Sequence, residues 1–283
     1  MKHLHDIAAP AKLNLFLHVT GRRDDGYHLL QSVFMLIDWQ DTLHMERRSD
    51  GQISREDLGP ALPPDDLIVR AARALQRASQ TPLGVHVGVL KRIPAQAGMG
   101  GGSSDAASTL LALNRLWDLN WPLARLLPIA LQLGADVPFF MHGHNAWVEG
   151  IGERIQPLAL PEARFAVLKP EAGVETAAIF RAEQLQRSTE PATISDFAVA
   201  PFDFGRNDLQ PVAGAMCPEI LQALRWLERF GLQPRMTGSG SAVFAHVPSD
   251  VAFDAVPDGW AFKVCSNLAV HPLAGWAVSD DSR

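Results

Sequence analysis

The sequence has little cysteine and no long hydrophobic run. Its two cysteines, Cys217 and Cys265, lie far apart and match no zinc or redox spacing, so we expect free thiols. No apolar stretch approaches the roughly 20 residues that a membrane-spanning helix needs. Residues 1–14 have neither the apolar segment of a signal peptide nor the composition of a transit peptide. These features together predict a cytoplasmic protein.

The sequence also lacks a surplus of positive charge, since its formal net charge is -6. Proteins that bind nucleic acid or an anionic membrane need clustered cations, so we expect small-molecule partners and neither nucleic acid nor membrane. The 283 residues, 47% of them hydrophobic, suffice for two domains. We place the boundary where Gly150, Gly152 and Pro157 interrupt the pattern, which gives domains 1–155 and 156–283. We expect a monomer or a homodimer.

The first third of the sequence predicts a largely antiparallel sheet. A strand is predicted from Ile7 to Val19, and apolar and polar residues alternate in its second half. One face of this strand carries Leu13, Leu15, Leu17 and Val19, and the opposite face carries Lys12, Asn14, Phe16 and His18. Further strands are predicted at 28–39 and 42–46, separated by a polar turn at 38–41. A helix at 67–77 and a strand at 84–93 follow.

The remainder of the chain mixes helices and strands without an internal repeat. Helices are predicted at 123–133, 176–185 and 218–230, and strands at 146–148, 165–168, 235–244 and 262–266. Gly134 suits the left-handed position that ends a helix, and Pro128 should kink that helix or lie near its start. Residues 187–207 are predicted as a long loop. The absence of repeated βαβ units indicates an α+β protein.

The segment from Gly98 to Ser104 combines a glycine-rich loop with a helix start. Four of the five residues 98–102 are glycine, and Ser103 or Ser104 before an Ala/Leu-rich run is typical of a helix N-terminus. Glycine lets backbone N–H groups approach an anion, and a helix N-terminus adds unpaired donors and partial positive charge. We therefore predict a phosphate site. The alternatives are a flexible connector and a close-packed turn.

The loop matches neither common nucleotide motif. A Walker A loop has Lys-Ser/Thr after its last glycine, where this chain has Ser103, Ser104 and Asp105. A dinucleotide fingerprint that starts at Gly98 would need a third glycine at position 103 and βαβ surroundings. These differences argue against a dinucleotide-dependent oxidoreductase.

Three segments resemble one family, the kinases named after galactokinase, homoserine kinase, mevalonate kinase and phosphomevalonate kinase. Residues 94–107 (PAQAGMGGGSSDAA) are similar to its PxxxGLGxxSSxA loop, residues 10–15 (PAKLNL) to its first motif, and residues 237–242 (TGSGSA) to its C-terminal glycine-rich motif. The resemblance implies a two-domain α+β small-molecule kinase fold with the active site in the interdomain cleft. Residues 10–34, 134–140 (GADVPFF) and 235–244 further resemble the branch that phosphorylates the 2-hydroxyl of a cytidine diphosphate-linked methylerythritol, in the non-mevalonate route to isoprenoid precursors.

The resemblance implies ATP as the co-substrate, accompanied by Mg²⁺. It places ATP on residues Pro94, Gly98, Met99, Gly100, Gly101, Gly102, Ser103 and Ser104. Asp66 stands where relatives commonly have an asparagine that contacts adenine, and a carboxylate can accept a hydrogen bond but not donate one. No residue is assigned as a metal ligand, because no carboxylate cluster marks one. The pairs His3/His5 and His142/His144 fit solvated loops better than a metal site.

The catalytic residues that the resemblance implies are Lys12 and Asp136. Asp136 would accept the proton of the acceptor hydroxyl, and Lys12 would offset the charge that develops on the phosphoryl oxygens. Without the resemblance, Asp136 would be read as a helix cap before Pro138, and Lys12 as a solvated charge on a strand.

The substrate-binding residues that the resemblance implies are Asn14, Tyr27, His28, Phe180, Gly238 and Ser239. Asn14 would lie beside the methylerythritol hydroxyls, and Tyr27, the single tyrosine of the chain, would stack on cytosine. His28 would hydrogen-bond the base edge and Phe180 would supply the opposite stacking face. Two other functions stay open, namely a related kinase for another alcohol, of the homoserine or mevalonate type, and a non-catalytic nucleotide or sugar sensor on the same scaffold.

Overall fold

The computed structural model describes residues 2–277, which form two β-sheets and the helices that cover them. The strands are β1 (His3–Arg22), β2 (His28–Arg48), β3 (Ile53–Asp57), β4 (Gly84–Leu90), β5 (Ala146–Gly150), β6 (Arg154–Pro157), β7 (Arg164–Lys169), β8 (Arg235–Met236), β9 (Val243–His246) and β10 (Ala261–Ser266). The helices are α1 (Leu67–Ser79), α2 (Gly101–Leu116), α3 (Leu123–Leu133), α4 (Val137–His142), α5 (Thr176–Arg181), α6 (Ile194–Val199), α7 (Gln210–Met216) and α8 (Pro218–Glu228). The predicted α+β class is confirmed.

The first sheet has the order β3-β4-β2-β5-β6, with β1 paired to β2. All its pairs are antiparallel except β3 with β4. The turn predicted at 38–41 is wrong, because β2 runs through it without a break. The register with β1 instead passes from Pro10 opposite Gln40 to Ala11 opposite Ile37. Asp38 and Trp39 therefore have no partner in β1 and form a bulge. The sequence pattern of this bulge is similar to that of a turn.

The alternation predicted for β1 holds only as far as Asn14. A second register shift lies between Asn14 and Leu17. As a result, Phe16 packs in one hydrophobic cluster with Leu13 and Leu15. The prediction that Phe16 shares a face with Lys12 and Asn14 is wrong. A bulge adds one residue to the strand, so the side chains after it point to the opposite face of the sheet from the one that simple alternation predicts.

The second sheet is antiparallel with the order β10-β7-β9-β8. Helices α1 to α4 cover one face of the first sheet, and α7 and α8 cover the outer face of the second. The two inner faces share a cluster to which Leu13 and Met35 contribute from one sheet and Phe165 and Phe244 from the other. Because β1 belongs to the first sheet and contributes to this shared cluster, its polar residues Lys12 and Asn14 are buried.

Two helix boundaries differ from the sequence prediction near the glycine loop. Helix α2 begins at Gly101, with Gly100 in the N-cap position and no side-chain cap, so the predicted start at Ser103 or Ser104 is wrong. Helix α3 has the predicted bounds and contains Pro128. Gly134 ends it with φ 168°, which is extended backbone, so the predicted left-handed conformation is also wrong.

The region between β7 and β8 contains more helix than predicted. Helix α5 ends at Arg181, earlier than expected. Within the predicted loop 187–207, Thr193 and Asp196 form a capping box that starts α6. Helix α7 lies between that loop and α8 and was not predicted.

The predicted division between residues 155 and 156 falls inside β6, the last strand of the first sheet, and β7 opens the second sheet. This boundary stays a prediction, and residues 278–283 of the predicted second domain lie outside the described part of the chain. Between residues 2 and 277, no helix combines the length and the apolar character needed to cross a membrane.

Candidate active site

The predicted phosphate loop borders the larger of the two cavities that the predicted binding residues line, with a volume of about 630 Å³. All the residues predicted to bind ATP line this cavity except Ser104. The hydroxyl of Ser104 is buried and has no hydrogen-bond partner among the described residues. Ser239, predicted to bind the acceptor, also lines this cavity, and its hydroxyl lies 2.7 Å from that of Thr176 at the start of α5.

The two glycine-rich loops are in direct contact, which explains why both need glycine. Gly98 has φ +70°, and a Cβ there would lie 2.3 Å from the carbonyl oxygen of Thr237. A Cβ on Gly238, with φ +54°, would lie 2.6 Å from the carbonyl oxygen of Gly98. Backbone hydrogen bonds from Ser241 and Ala242 to residues 96 and 97 join the loops, at 3.0 and 3.2 Å. Side chains at these positions would force the loops apart.

The start of α2 directs unpaired backbone donors toward the larger cavity. Gly101, Gly102 and Ser103 form its first turn and line the cavity, whereas the N–H of Ser104 already donates to the carbonyl of Gly100 at 2.9 Å. The helix has 16 residues, so its N-terminus carries a partial positive charge. This arrangement suits an anion of the size and charge of a polyphosphate.

Asp66 borders the same cavity, but its carboxylate is already engaged by the protein. It caps α1 by accepting from the N–H of Val69 at 3.1 Å, and it forms an ion pair with Arg55 at 2.7 Å. A carboxylate bound in this way has limited freedom to contact a base, and its N-cap role accounts for an aspartate at this position.

A buried ion cluster that the sequence analysis missed lies at one side of the larger cavity. The ammonium of Lys91 binds the carboxylates of Asp41 and Asp105, at 2.5 Å from the latter. Burial raises the pKa of Asp105 to about 7, although the charge of Lys91 opposes this effect. Lys91 and Asp105 both line the cavity. No short sequence motif joins the three residues, because the chain brings them together from β2, from the end of β4 and from α2.

Lys12 and Asp136 form an ion pair, with Nζ and Oδ2 3.5 Å apart. The side chain of Lys12 is 4% exposed and that of Asp136 is 31% exposed. Asp136 occupies the N-cap position of α4, yet its side chain makes no capping hydrogen bond. The capping explanation for Asp136 therefore fails, and its carboxylate is available both to Lys12 and to solvent.

The ammonium of Lys12 lies in a pocket closed by neighbouring elements. It donates to Oδ1 of Asn14 at 2.5 Å and lies 4.2 Å from the centre of the Phe34 ring. A Cβ on Gly100 would lie 3.3 Å from Cγ of Lys12, so the glycine loop approaches Lys12 closely. Burial lowers the pKa of Lys12, and the charge of Asp136 partly offsets the shift. The alternative of a solvated strand lysine is excluded by this burial.

Asn14 links the ion pair to the C-terminal glycine loop. Its side chain accepts from Lys12 and donates to the hydroxyl of Ser32 at 2.9 Å, and its backbone N–H donates to the hydroxyl of Thr237 at 2.9 Å. The carbonyl of Gly238 is held by Asn207 at 2.8 Å. These contacts fix the orientation of Lys12, which the sequence pattern alone did not indicate.

Three residues predicted to bind a cytidine meet around a second cavity of about 390 Å³. Tyr27, His28 and Phe180 all line it. The rings of His28 and Phe180 lie 4.9 Å apart between centroids, and Tyr27 is 60% exposed. Ala177 of α5 lines both cavities, so they adjoin at this helix. Neither cavity is lined by Lys12 or Asp136, which lie beside the glycine loop.

Comparisons with known proteins show which families this chain resembles. The family described as GHMP kinases N terminal domain matches residues 66–144, and the one described as GHMP kinases C terminal matches residues 193–264. The 4-diphosphocytidyl-2-C-methyl-D-erythritol kinase of Albidiferax ferrireducens is 67% identical over 280 residues, which cover 99% of this chain and 98% of that protein. The enzyme of the same name from Paracidovorax citrulli is 64% identical over 285 residues, which cover 99% and 100%.

Solved structures give the same result for the fold. A crystal structure of 4-(cytidine 5'-diphospho)-2C-methyl-D-erythritol kinase superposes with a TM-score of 0.78 at 34% identity, covering 94% of this chain and 98% of that one. Homoserine kinase from Cytophaga hutchinsonii shares the fold at a TM-score of 0.66 and 13% identity, with 96% of each chain covered. The chain therefore belongs to the GHMP kinases, and within them to the 4-diphosphocytidyl-2-C-methyl-D-erythritol kinase family.

Proposed function

We propose that this chain transfers the γ-phosphoryl group of ATP to the 2-hydroxyl of 4-diphosphocytidyl-2-C-methyl-D-erythritol, giving the 2-phosphate and ADP. The observation that carries the proposal is the position of the Lys12–Asp136 pair beside the glycine loop, while Tyr27, His28 and Phe180 meet at an adjoining cavity. One cavity suits a polyphosphate and the other an aromatic base, as a kinase with a nucleotide-linked acceptor requires.

The chemistry assigned to this site follows from the two charges. Phosphoryl transfer needs positioning, charge neutralisation and a group that takes the proton of the attacking hydroxyl. The carboxylate of Asp136 is not used as a cap and is partly exposed, so it can accept that proton. The ammonium of Lys12 can offset charge on the transferring oxygens, and its burial strengthens this effect by excluding water.

We propose that ATP occupies the larger cavity with its phosphates on the backbone donors of the loop and of α2. Mg²⁺ entering with ATP would neutralise part of the charge of its phosphates. The described residues hold no group of three or more His, Cys, Asp or Glu that could form a metal site.

We propose that the smaller cavity receives the cytidine, with its base between Tyr27 and Phe180. Stacking on two aromatic rings would contribute roughly 1–3 kcal/mol per contact. Asn14 and Gly238 would then face the methylerythritol unit near Lys12. The cytoplasmic location and the monomeric or homodimeric state stay predictions.

Replacing Tyr27 by leucine should raise the KM for the cytidine substrate about tenfold or more, because one stacking surface is lost. The turnover number and the KM for ATP should stay near those of the wild type, since Tyr27 lines only the smaller cavity. Steady-state kinetics with each substrate varied in turn would measure this. Val199, an apolar side chain with 86% exposure, allows Val199→Ala as a surface control. An unchanged KM for the cytidine substrate would remove Tyr27 from the site.

The reaction itself is tested by ADP release with ATP and Mg²⁺, with 4-diphosphocytidyl-2-C-methyl-D-erythritol, homoserine and mevalonate offered separately. We expect ADP only with the cytidine substrate, and a new phosphomonoester at its 2-hydroxyl by phosphorus NMR. Turnover of another alcohol would retain a kinase and reject this substrate. Binding of ATP without turnover of any acceptor would favour the sensor.

A further inference from the structure

Arg187, which lies in a segment predicted only as a loop, holds both walls of the smaller cavity. Its Nε donates to Nε2 of His28 at 3.1 Å. Its Nη2 donates to the backbone carbonyls of Phe180 and Ala182 at 3.1 and 2.7 Å, and its Nη1 to those of Leu185 and Glu183 at 3.1 and 3.4 Å. One guanidinium therefore fixes the end of α5, which carries Phe180, relative to the ring of His28.

The contact with Arg187 determines which nitrogen of His28 carries a proton. A guanidinium has five N–H donors and no acceptor, so Nε2 of His28 must supply a lone pair. The imidazole is then neutral and its single proton is on Nδ1. Nδ1 makes no hydrogen bond to the described residues, so its N–H is free to bind a ligand.

We propose that Arg187 fixes His28, which the family resemblance already places at the base edge, as the neutral Nδ1–H tautomer. In this tautomer the N–H can donate to the ring nitrogen N3 of cytosine but not to that of uracil. The inference rests on the proposed function, because it assigns a role within the base site. In cytosine N3 has a lone pair, whereas in uracil N3 carries a hydrogen that would face the Nδ1–H. Arg187 is thus a positioning residue that acts through His28.

The charges around the cavity support a neutral His28. Arg22, Arg181 and Arg187 are the charged residues that line it. Burial lowers the pKa of His28, and the positive charges of Arg187 and Arg22 lower it further. A doubly protonated ring would also lose the lone pair that accepts from Arg187. The geometry and the surrounding charges therefore favour the same form.

The tautomer can be measured directly in the free enzyme, without any substrate. Long-range ¹H–¹⁵N correlation spectra of ¹⁵N-histidine protein at pH 7.5, assigned by difference from His28→Gln, should show His28 with a protonated Nδ1 and an unprotonated Nε2. A wild-type spectrum with the proton on Nε2 would overturn the proposal. In Arg187→Met we expect Nε2 to become partly protonated, since its donor partner is gone. Arg181→Met should keep the wild-type tautomer, because the contact of Arg181 is an exposed ion pair with Glu175 at 3.8 Å.

The consequence for specificity is measured by competition of CMP and UMP with the cytidine substrate. The wild type should bind CMP more tightly than UMP. Arg187→Met should reduce this preference about fivefold, which is the effect on affinity expected when one hydrogen bond is lost. If Arg187 had only a structural role, Arg187→Met would weaken the binding of CMP and of UMP equally and leave the tautomer of His28 unchanged. This result would overturn the proposal. The proposed function and the tautomer can fail independently. If the cytidine substrate is not phosphorylated but His28 has the expected tautomer and this tautomer depends on Arg187, the proposed function is wrong and the assignment of the tautomer stands.

Discussion

Asp136→Asn should lower the turnover number by about 10²- to 10⁴-fold, the range that loss of a general base produces. The amide keeps the shape of the carboxylate but cannot take the proton of the acceptor hydroxyl. The fold should be retained with some loss of stability, because the side chain of Asp136 makes no capping hydrogen bond and is 31% exposed, whereas the buried ammonium of Lys12 loses its charge partner. Steady-state ADP release gives the turnover number, and thermal unfolding followed by circular dichroism gives the stability.

The control for this prediction is Asp65→Asn, which makes the same chemical change near the start of α1. Asp65 is 69% exposed and pairs only with Arg73 among the described residues, at 3.2 Å. We expect its turnover number and unfolding temperature to match the wild type. The KM for ATP should stay within a few-fold in both variants, since Asp136 does not line the larger cavity. An Asp136→Asn enzyme with turnover within a few-fold of the wild type would refute the role of Asp136 as base.

The glycine-rich loops were predictable because their chemistry is local. Gly98 and Gly238 have positive φ angles, and a Cβ on either would collide with the backbone of the other loop. Only glycine fits at these positions, so the requirement is visible in the sequence itself. The predicted start of the helix beyond the first loop was two or three residues too late, since serine is the commoner cap. A Gly100 cap leaves the first turn without a side chain over its N–H groups, which is what an anion site needs.

Long-range features could not be predicted from the sequence. The bulges in β1 and β2 arise from the register between two strands, and local alternation contains no information about register. Arg187 reaches His28 across 159 positions of the chain, and its acceptors are mostly backbone carbonyls, which carry no residue identity. The same holds for Lys91, whose partners come from separate elements. Such residues become visible only when the fold places them together.

Lys12→Met should lower the turnover number by about 10²- to 10³-fold, comparable to the loss of one preorganised electrostatic contact in an active site. Methionine has a similar length and an apolar stem, so it can fill the space beside Phe34 and Gly100 without a cavity. The carboxylate of Asp136 is partly hydrated and should tolerate the loss of its partner. Lys263→Met, which removes an ammonium 40% exposed on β10, is the matched control and should retain full turnover.

The pH dependence of turnover separates the charge of Lys12 from its packing. An ordinary lysine titrates near 10.5, and burial lowers the pKa of Lys12 below that value. The catalytic ammonium is present below the lowered pKa and is lost as the pH rises through it, so wild-type turnover should decline on the alkaline side before pH 10.5 is reached. The residual activity of Lys12→Met should lack this decline, because it has no ammonium to lose, whereas Lys263→Met should keep it. An identical alkaline decline in Lys12→Met would mean that another group titrates there and that the charge of Lys12 does not assist the transfer.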